Sequence, residues 1–236
     1  MVEEKTDLLV ALPTGSRKSI IPMVAALLTK KTFVVIVPLI SLLEDWGHRL
    51  QKAGMIYKVF KPTSPPFYDC PIILATIDTA VEPPFSTAIG RSFADNTLGG
   101  LVLDKVHKIL ALKEFRSYMQ RMWGVQKLAY PIIGMSGTIP VNMEQRLLSE
   151  LCLKPDTPVI RQSSNRPELL YKMDPPITDL DQLQTQIQTI AQDSILQPSD
   201  RTLIFVTTIL NGELLAVRLG CEFYCADTDV YMSKKN

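Results

Sequence analysis

The residues best suited to chemistry lie in the segment LPTGSRKS, residues 12–19, directly after a short apolar run. A tight loop between a strand and a helix points its backbone amides at a phosphate, and a lysine in such a loop reaches the β- and γ-phosphate oxygens. Lys18 fits that role, and the hydroxyl of Ser19 is placed to hold a magnesium ion. The segment therefore predicts a phosphate-binding loop, and the alternative is a simple Thr-Gly-Ser turn before a buried helix.

A second candidate is Asp104 in the segment LVLDKVHKIL, residues 101–110. An Asp at the carboxyl end of a buried strand beside a phosphate loop is where magnesium is coordinated through oxygen ligands. Asp104 therefore predicts a metal ligand. His107 lies three residues further on, and taken alone it is better explained as a half-buried surface imidazole.

These residues need a scaffold, and the sequence contains short runs rich in Val, Ile and Leu that fit one. Each run is apolar throughout, as in a strand buried on both faces of a parallel sheet. The runs are DLLVAL, TFVVIVPL, PIILAT, GGLVLD, PIIGMS and RTLIFV. Segments of helical period, such as SLLEDWGHRLQKAG and VNMEQRLLSELCL, lie between them. The alternation predicts an α/β fold whose parallel sheet is covered by helices on both faces.

The pattern changes after residue 154, where KPDTPVIRQSSNRPELLYKMDPPIT carries several prolines and few apolar runs. We interpret residues 1–155 as one lobe, 156–178 as a linker and 179–236 as the incomplete start of a second lobe. Thr178 is expected to cap a helix whose apolar residues share one face. RTLIFV then predicts a strand, and ILNGELLAVRLG predicts a further helix.

Composition limits the class of protein. The 236 residues are 46% hydrophobic with a net charge of +1, so no overall basic field indicates nucleic acid, although a local groove could bind phosphates. The N-terminus lacks the order of a secretory signal and no apolar run is long enough for a membrane span, so a soluble intracellular protein is expected. The four cysteines lack paired spacing and are expected to be buried thiols.

Taken together, the segments resemble the superfamily 2 helicases of the DEAD/DEAH-box kind. LPTGSRKS is similar to motif I of that family, VVIVPLISLLEDW to motif Ia, ILATIDTA to motif Ib, LDKVHKIL to motif II and MSGTIP to motif III. IRQSSNRPELLYKM resembles the interlobe linker of RecQ-like DNA helicases, and RTLIFVTTILNGELLAVRLG resembles the motif IV opening of their second lobe. Because the order is kept over nearly the whole chain, the sequence is identified as a RecQ-like DNA helicase, truncated and divergent like the copies found in fungi.

The resemblance implies a P-loop NTPase lobe of the RecA-like kind, with ATP and Mg²⁺ as cofactors. ATP would contact the residues of motif I, which are Leu12, Pro13, Thr14, Gly15, Ser16, Arg17, Lys18 and Ser19. Lys18, Asp104 and His107 would be the catalytic residues, and Ser19 and Asp104 would hold magnesium.

The resemblance also implies single-stranded or forked DNA as a partner, no membrane, and a nuclear location if the source is eukaryotic; protein partners stay open. His107 with Ser136 and Thr138 would couple the nucleotide site to the DNA path. The residues implied near the DNA backbone are Pro38, Leu39, Thr76 and Asp78. Each has an ordinary alternative, because a proline can end a strand, Thr76 and Asp78 can begin a turn, and Ser-Gly-Thr can be a plain strand exit.

Three departures from the family pattern fall in motifs I and II. Arg17 stands at a glycine position where the backbone must approach phosphate closely. Lys105 stands where the family has the Glu that activates water, and an ammonium cannot accept that proton. Val106 replaces an alanine, which is a milder change. The segment before motif I and motifs V and VI are also missing from this sequence, including the arginine that stabilises the γ-phosphate in the transition state.

The sequence thus predicts an ATP-dependent DNA helicase by resemblance, with impaired ATP hydrolysis in this copy. The alternative is a non-catalytic module that retains nucleotide or DNA affinity as a scaffold. A P-loop NTPase without a nucleic-acid partner is a further alternative, which the motif Ia, Ser-Gly-Thr and NRPELLY segments disfavour.

Overall fold

The computed structural model of the chain describes residues 6–63, 70–109, 131–165, 167–173, 180–194 and 201–225. The chain forms two compact units, Met1–Pro167 and Glu168–Asn236. The first unit includes residues of the predicted linker. The predicted boundaries at 155 and 178 stay a prediction, and Thr178 lies outside the described residues.

The first unit is built on a parallel sheet. Its seven described strands lie in the order β3-β4-β2-β5-β6-β1-β7, and every neighbouring pair is parallel. The strands are β1 (Leu8–Ala11), β2 (Thr32–Val37), β3 (Tyr57–Val59), β4 (Ile72–Thr76), β5 (Leu98–Asp104), β6 (Ile132–Ser136) and β7 (Val159–Arg161). The predicted α/β fold with a parallel sheet is confirmed.

The two edge strands, β3 and β7, are absent from the sequence prediction. Each has three residues and none of them is buried, so neither produces the apolar run that marks an inner strand. β7 lies within the range predicted as a linker and pairs with β1 from Leu9↔Val159 to Ala11↔Arg161.

Helices cover both faces of this sheet. Successive residues of the inner strands alternate between two buried clusters, with Leu9 in one and Leu8 in the other. Side chains of α1 and α2 join the cluster of Leu8, and those of α3, α4 and α6 join the cluster of Leu9. The helices are α1 (Ile20–Thr29), α2 (Ile40–Lys52), α3 (Ile77–Ala80), α4 (Pro83–Ala94), α5 (Val106–Ile109) and α6 (Glu144–Glu150), with a 3₁₀ turn at Val141–Met143.

The second unit contains α7 (Leu180–Ser194) and α8 (Ile209–Leu219) among its described residues. Thr208 caps α8 by accepting the backbone N–H of Asn211, and Gly220 ends it with φ of +63°. Both helices were predicted from the sequence, α7 from the helical spacing of its apolar residues.

The strand predicted from RTLIFV is wrong. Residues 201–206 form no strand, and Leu203 and Phe205 are 78% and 87% exposed. A strand needs a neighbour to accept and donate its backbone hydrogen bonds, and the described part of this unit contains no other strand. An apolar run alone is therefore not enough to form a strand.

The prediction of buried thiols holds for Cys70, whereas Cys152 and Cys221 are exposed and Cys225 is half-buried. Cys152 lies in the turn after α6, before the chain returns to the sheet at β7, so its place in an apolar sequence run does not bury it. In the described part of the chain, no helix combines the length and the apolar character that crossing a membrane requires.

Candidate functional site

The predicted site residues of the first unit gather at one edge of the sheet. All strands run parallel, so their carboxyl ends lie along that edge, and the segments that follow β4, β2, β5, β6 and β1 stand in this order. Thr76 and Asp104 are the last residues of β4 and β5, and Pro38, Thr138 and the loop of residues 12–19 follow β2, β6 and β1. β6 separates Asp104 from the loop, because Asp104 pairs with Met135 and Ala11 pairs with Ser136.

The loop of residues 12–19 is fixed at its base by the sheet. The backbone N–H of Leu12 donates to the Ser136 carbonyl at 3.1 Å, and the N–H of Ser16 donates to the Pro13 carbonyl at 3.2 Å. The loop then leads into α1, whose N-cap Ser19 is buried without a side-chain capping bond. A buried strand, a tight turn and an apolar helix thus hold the loop, as the sequence predicts.

Lys18 folds its side chain back over this loop. Its Nζ donates to the carbonyl oxygens of Leu12 at 2.9 Å and Pro13 at 2.8 Å. Burial lowers the pKa of Lys18, and the nearby cations Lys105 and Arg49 lower it further, while Asp104 acts in the opposite sense. The ammonium is therefore held at the mouth of the loop by neutral carbonyls, partners that a phosphate oxygen can replace.

Arg17 has a left-handed backbone, the conformation that glycine adopts most easily. Its φ is +57°, in the left-handed region, and Gly15 nearby has φ of +89°. Arg17 is exposed, and its guanidinium makes no hydrogen bond or ion pair to any residue that the structure describes. The loop therefore makes a left-handed turn at Arg17 and presents its side chain to solvent.

Asp104 is buried at the end of β5, with 9% of its surface exposed. Its Oδ2 accepts the indole N–H of Trp46 at 2.8 Å, and its Oδ1 accepts the backbone N–H of Lys105 at 2.8 Å. Both carboxylate oxygens are thus held by donors from rigid elements, which fixes the direction of the carboxylate.

Lys105 follows directly and also has a left-handed backbone, with φ of +54°. Its carbonyl accepts the N–H of Lys108 and so starts α5. The side chain is half-buried, and among the described residues its ammonium has neither a hydrogen-bond partner nor an ion-pair partner.

His107, Ser136 and Thr138 form one hydrogen-bonded group. His107 Nδ1 lies 2.6 Å from Ser136 Oγ, the N–H of Thr138 donates to the same Oγ at 3.1 Å, and Thr138 Oγ1 lies 3.3 Å from His107 Nε2. Burial lowers the pKa of His107, with further lowering by Lys105 and Lys108. In the neutral imidazole, the Ser136 hydroxyl can donate to Nδ1 and the Nε2–H can donate to Thr138, so every partner is satisfied.

Gly137 brings this group against the phosphate loop. A Cβ at that position would lie 3.3 Å from Thr14 Oγ1 and 3.4 Å from the Leu12 carbonyl. The Ser-Gly-Thr segment and the loop are therefore in direct packing contact, and a larger residue at position 137 would push them apart.

The four residues predicted near DNA lie at the ends of two adjacent strands. Leu39 is the N-cap of α2 and is 51% exposed, and Pro38 precedes it. Thr76 is the N-cap of α3, where its Oγ1 accepts the N–H of Thr79, and Asp78 is exposed in the first turn. Val37 pairs with Thr76, so the two segments are neighbours on the same edge. Thr76 has the structural role expected of a turn residue, and its DNA contact stays a prediction.

The predicted magnesium ligands are Ser19 and Asp104. They provide one hydroxyl and one carboxylate, and both oxygens of that carboxylate already accept a hydrogen bond. The neighbouring charged groups that act on Lys18 are two cations and this single carboxylate. Oxygen ligands with net negative charge suit magnesium, so these residues fit the ion poorly, and the predicted magnesium site stays a prediction.

Two residues that contact the site were not predicted from the sequence. Trp46 lies on α2 with 1% exposure, and the burial of an indole, which needs a partner for its N–H, was the signal that could have indicated its bond to Asp104. Arg161 on β7 donates to the Ile139 carbonyl at 2.8 Å and pairs with Glu144, so it ties the segment after Ser136–Thr138 to α6. No sequence signal indicates that contact.

Comparison with known proteins finds helicases among the relatives of this chain. A family model described as DEAD/DEAH box helicase matches residues 1–146. The ATP-dependent DNA helicase Q-like SIM of Arabidopsis thaliana is 25% identical to this chain over 193 residues, a match covering 71% of this chain and 22% of that protein.

Solved structures of DUF1998 helicase MrfA share the fold. One superposes with a TM-score of 0.64 at 16% identity and covers 93% of this chain and 36% of that chain. Another, bound to DNA and AMPPNP, superposes with a TM-score of 0.65 at 14% identity and covers 92% of this chain and 34% of that chain. This chain therefore spans between about a fifth and about a third of the length of these relatives.

Proposed function

The chain belongs to the DEAD/DEAH box helicase family, and from that premise we propose that it binds ATP at the loop of residues 12–19 and single-stranded or forked DNA along the same sheet edge. The class activity is ATP-dependent unwinding of DNA, and hydrolysis is impaired in this copy. A DNA partner would place a eukaryotic version of this protein in the nucleus. In the domain assignment proposed with it, residues 1–155 form the ATP-binding lobe, 156–178 the linker and 179–236 the start of a second RecA-like lobe.

The observation that carries the proposal is the continuous chain of contacts along the edge. The Leu12 amide is bonded to the Ser136 carbonyl, Gly137 packs on Thr14, and His107 joins Ser136 and Thr138. A change at the phosphate loop is therefore transmitted by direct contact to the segments after β5 and β6. That is the arrangement a motor needs to link nucleotide state to a second ligand.

Nucleotide binding is supported by the backbone of the loop, by the start of α1 and by Lys18. The loop retains its left-handed turn, α1 begins beside it, and Lys18 is poised on two carbonyl oxygens. Backbone amides and a helix N-terminus attract phosphate whatever the side chain at position 17.

Impaired hydrolysis follows from Lys105. The family resemblance places a water-activating carboxylate at this position, and general-base catalysis contributes about 100- to 10,000-fold in rate. An ammonium beside the reacting phosphate holds charge but accepts no proton. We therefore expect binding to be retained and turnover to be lost.

DNA binding is supported by the position of four residues on one edge of the sheet, where Leu39 and Asp78 are exposed and Pro38 and Thr76 are half-buried. With a net charge of +1 the chain neutralises few phosphates, so affinity should be weak and should fall with salt along a shallow slope. The relative bound to DNA and AMPPNP supports the combination of ligands.

The test is a pair of binding titrations by fluorescence anisotropy, one with a labelled ATP analogue and one with labelled single-stranded and forked DNA. We expect both ligands to bind and Lys18→Ala to weaken the nucleotide by at least about tenfold, because a charge-assisted contact to phosphate contributes about 1.5–3 kcal/mol. The charge-matched control is Lys52→Ala, at the last turn of α2. Equal nucleotide affinity of Lys18→Ala and the parent would refute the loop assignment, and tight, salt-independent DNA binding would contradict the DNA proposal.

A further inference from the structure

The charges around the phosphate loop favour an anion that arrives without a metal ion. We propose that this site binds nucleotide as the metal-free polyphosphate, so that magnesium weakens binding where the family pattern would have magnesium support it. The inference rests on the proposed nucleotide function and specifies the chemical form of its ligand.

Two cations at the site have no counter-anion among the described residues. The side chains of Arg17 and Lys105 make no hydrogen bond or ion pair to a described residue, although both follow strands that end at the same edge. The backbones of both are held in the left-handed region by the loop and by the start of α5. Their positions are thus fixed by the scaffold rather than by a pairing that a ligand would have to break.

A third cation, Lys18, has only neutral hydrogen-bond partners in the described part of the chain. Its ammonium donates to the carbonyls of Leu12 and Pro13, and the charges that act on it are Lys105 and Arg49 against Asp104. Arg49 is itself paired with Asp45. The charges at this edge of the sheet are therefore Lys18 and Lys105, with the exposed Arg17 in the same loop as Lys18, against one buried carboxylate, Asp104.

The carboxylate is poorly placed to attract a metal ion. Trp46 and the Lys105 amide hold both oxygens of Asp104, each at 2.8 Å. A divalent cation would have to share those oxygens and approach the ammonium of Lys105, and repulsion between like charges is strong where water is partly excluded. A free triphosphate is attracted more strongly, because Lys18 and Lys105 interact with its full negative charge. A bound magnesium ion neutralises two of those charges.

The experiment measures the affinity of a fluorescent ATP analogue in EDTA and in excess magnesium chloride, with ionic strength matched by sodium chloride. We expect the parent to bind at least about threefold more tightly in EDTA. Lys105→Glu should reverse the order, with magnesium strengthening binding by about tenfold or more, because the site then contains a second carboxylate. Lys105→Met only removes the charge, so its ratio of affinity in EDTA to affinity in magnesium should lie between those of the parent and Lys105→Glu.

Lys52→Glu is the matched control for the charge reversal. Lys52 is exposed in the last turn of α2, which runs away from the site edge, so this variant should keep the parent's preference for EDTA. Far-UV circular dichroism of each variant checks that it is folded, and Lys105→Met provides the same comparison if Lys105→Glu does not fold.

The outcomes separate the two proposals. Tighter binding of the parent in magnesium would overturn the metal-free inference and leave nucleotide binding standing. If the nucleotide analogue does not bind, inorganic tripolyphosphate is the second probe: thermal stabilisation by tripolyphosphate in EDTA that magnesium reduces would support an anion site and refute the nucleotide. No stabilisation by tripolyphosphate would overturn the inference itself.

Discussion

Replacing Arg17 with glycine should stabilise the protein. Arg17 has φ of +57°, and a left-handed backbone costs a residue with a Cβ about 1–2 kcal/mol. Glycine avoids that cost but loses about 0.5–1 kcal/mol through the greater freedom of the unfolded chain. The net gain in the free energy of unfolding is therefore about 0.5–1 kcal/mol. No compensating loss is expected, because the exposed guanidinium has no hydrogen-bond or ion-pair partner among the described residues.

The assay is thermal unfolding followed by circular dichroism, in which Arg17→Gly should raise Tm by about 1–4 °C for a chain of this size. Lys30→Gly is the matched control, because Lys30 ends α1 with φ of +53° and carries the same charge. It should give a similar gain, reduced slightly by the loss of a cation from a helix C-terminus. A fall in Tm for Arg17→Gly beside a rise for Lys30→Gly would show that the guanidinium has a stabilising contact and that the strain argument is wrong for the loop.

Two further predictions concern stability. Trp46→Phe removes the buried donor to Asp104 and some packed volume, so urea unfolding should show a loss of about 2–4 kcal/mol; a loss below about 1 kcal/mol would show that this hydrogen bond contributes little. Burial raises the pKa of Asp7, which accepts the Ile132 N–H at 2.9 Å. The stability from this raised pKa is fully present below the unfolded-state pKa and is lost as pH rises through the folded-state pKa. Asp7→Asn keeps an acceptor without that charge, so its Tm relative to the parent should rise between pH 3 and pH 7. If the difference in Tm between the two proteins did not change with pH, the raised pKa of Asp7 would be contradicted.

The centre of the fold could be predicted because its signals are strong and local. Each inner strand of the sheet is apolar along its length, since both faces are buried, and each is followed by a segment of helical period. The location of Lys18, Asp104 and Ser136 follows from that prediction, because parallel strands bring their carboxyl ends to one edge. Sequence reasoning therefore places the predicted site without any knowledge of distances.

The remainder depends on pairing and on side-chain contacts, which leave weak traces in sequence. β3 and β7 form because neighbouring strands offer them hydrogen bonds, and RTLIFV forms no strand because the described part of its unit offers none. The bond from Trp46 to Asp104 joins residues 58 positions apart. The sign of φ at Arg17 and Lys105 was likewise hidden, because their side chains suggest nothing about a left-handed backbone.

Arg17 and Lys105, two of the positions at which the sequence departs from the family pattern in the resemblance, both have a left-handed backbone. Arg17 and Lys105 have φ of +57° and +54°, so the chain still makes the turns that glycine or a short polar residue adopts most easily. The cost is about 1–2 kcal/mol at each position, which the burial of strands β1, β5 and β6 on both faces can offset. In the proposed function, phosphate affinity would depend on the path of the backbone and on Lys18, whereas turnover would depend on a carboxylate that Lys105 does not provide. We therefore expect the two properties to separate in this protein: the loop should keep its hold on phosphate while the capacity to activate water is gone.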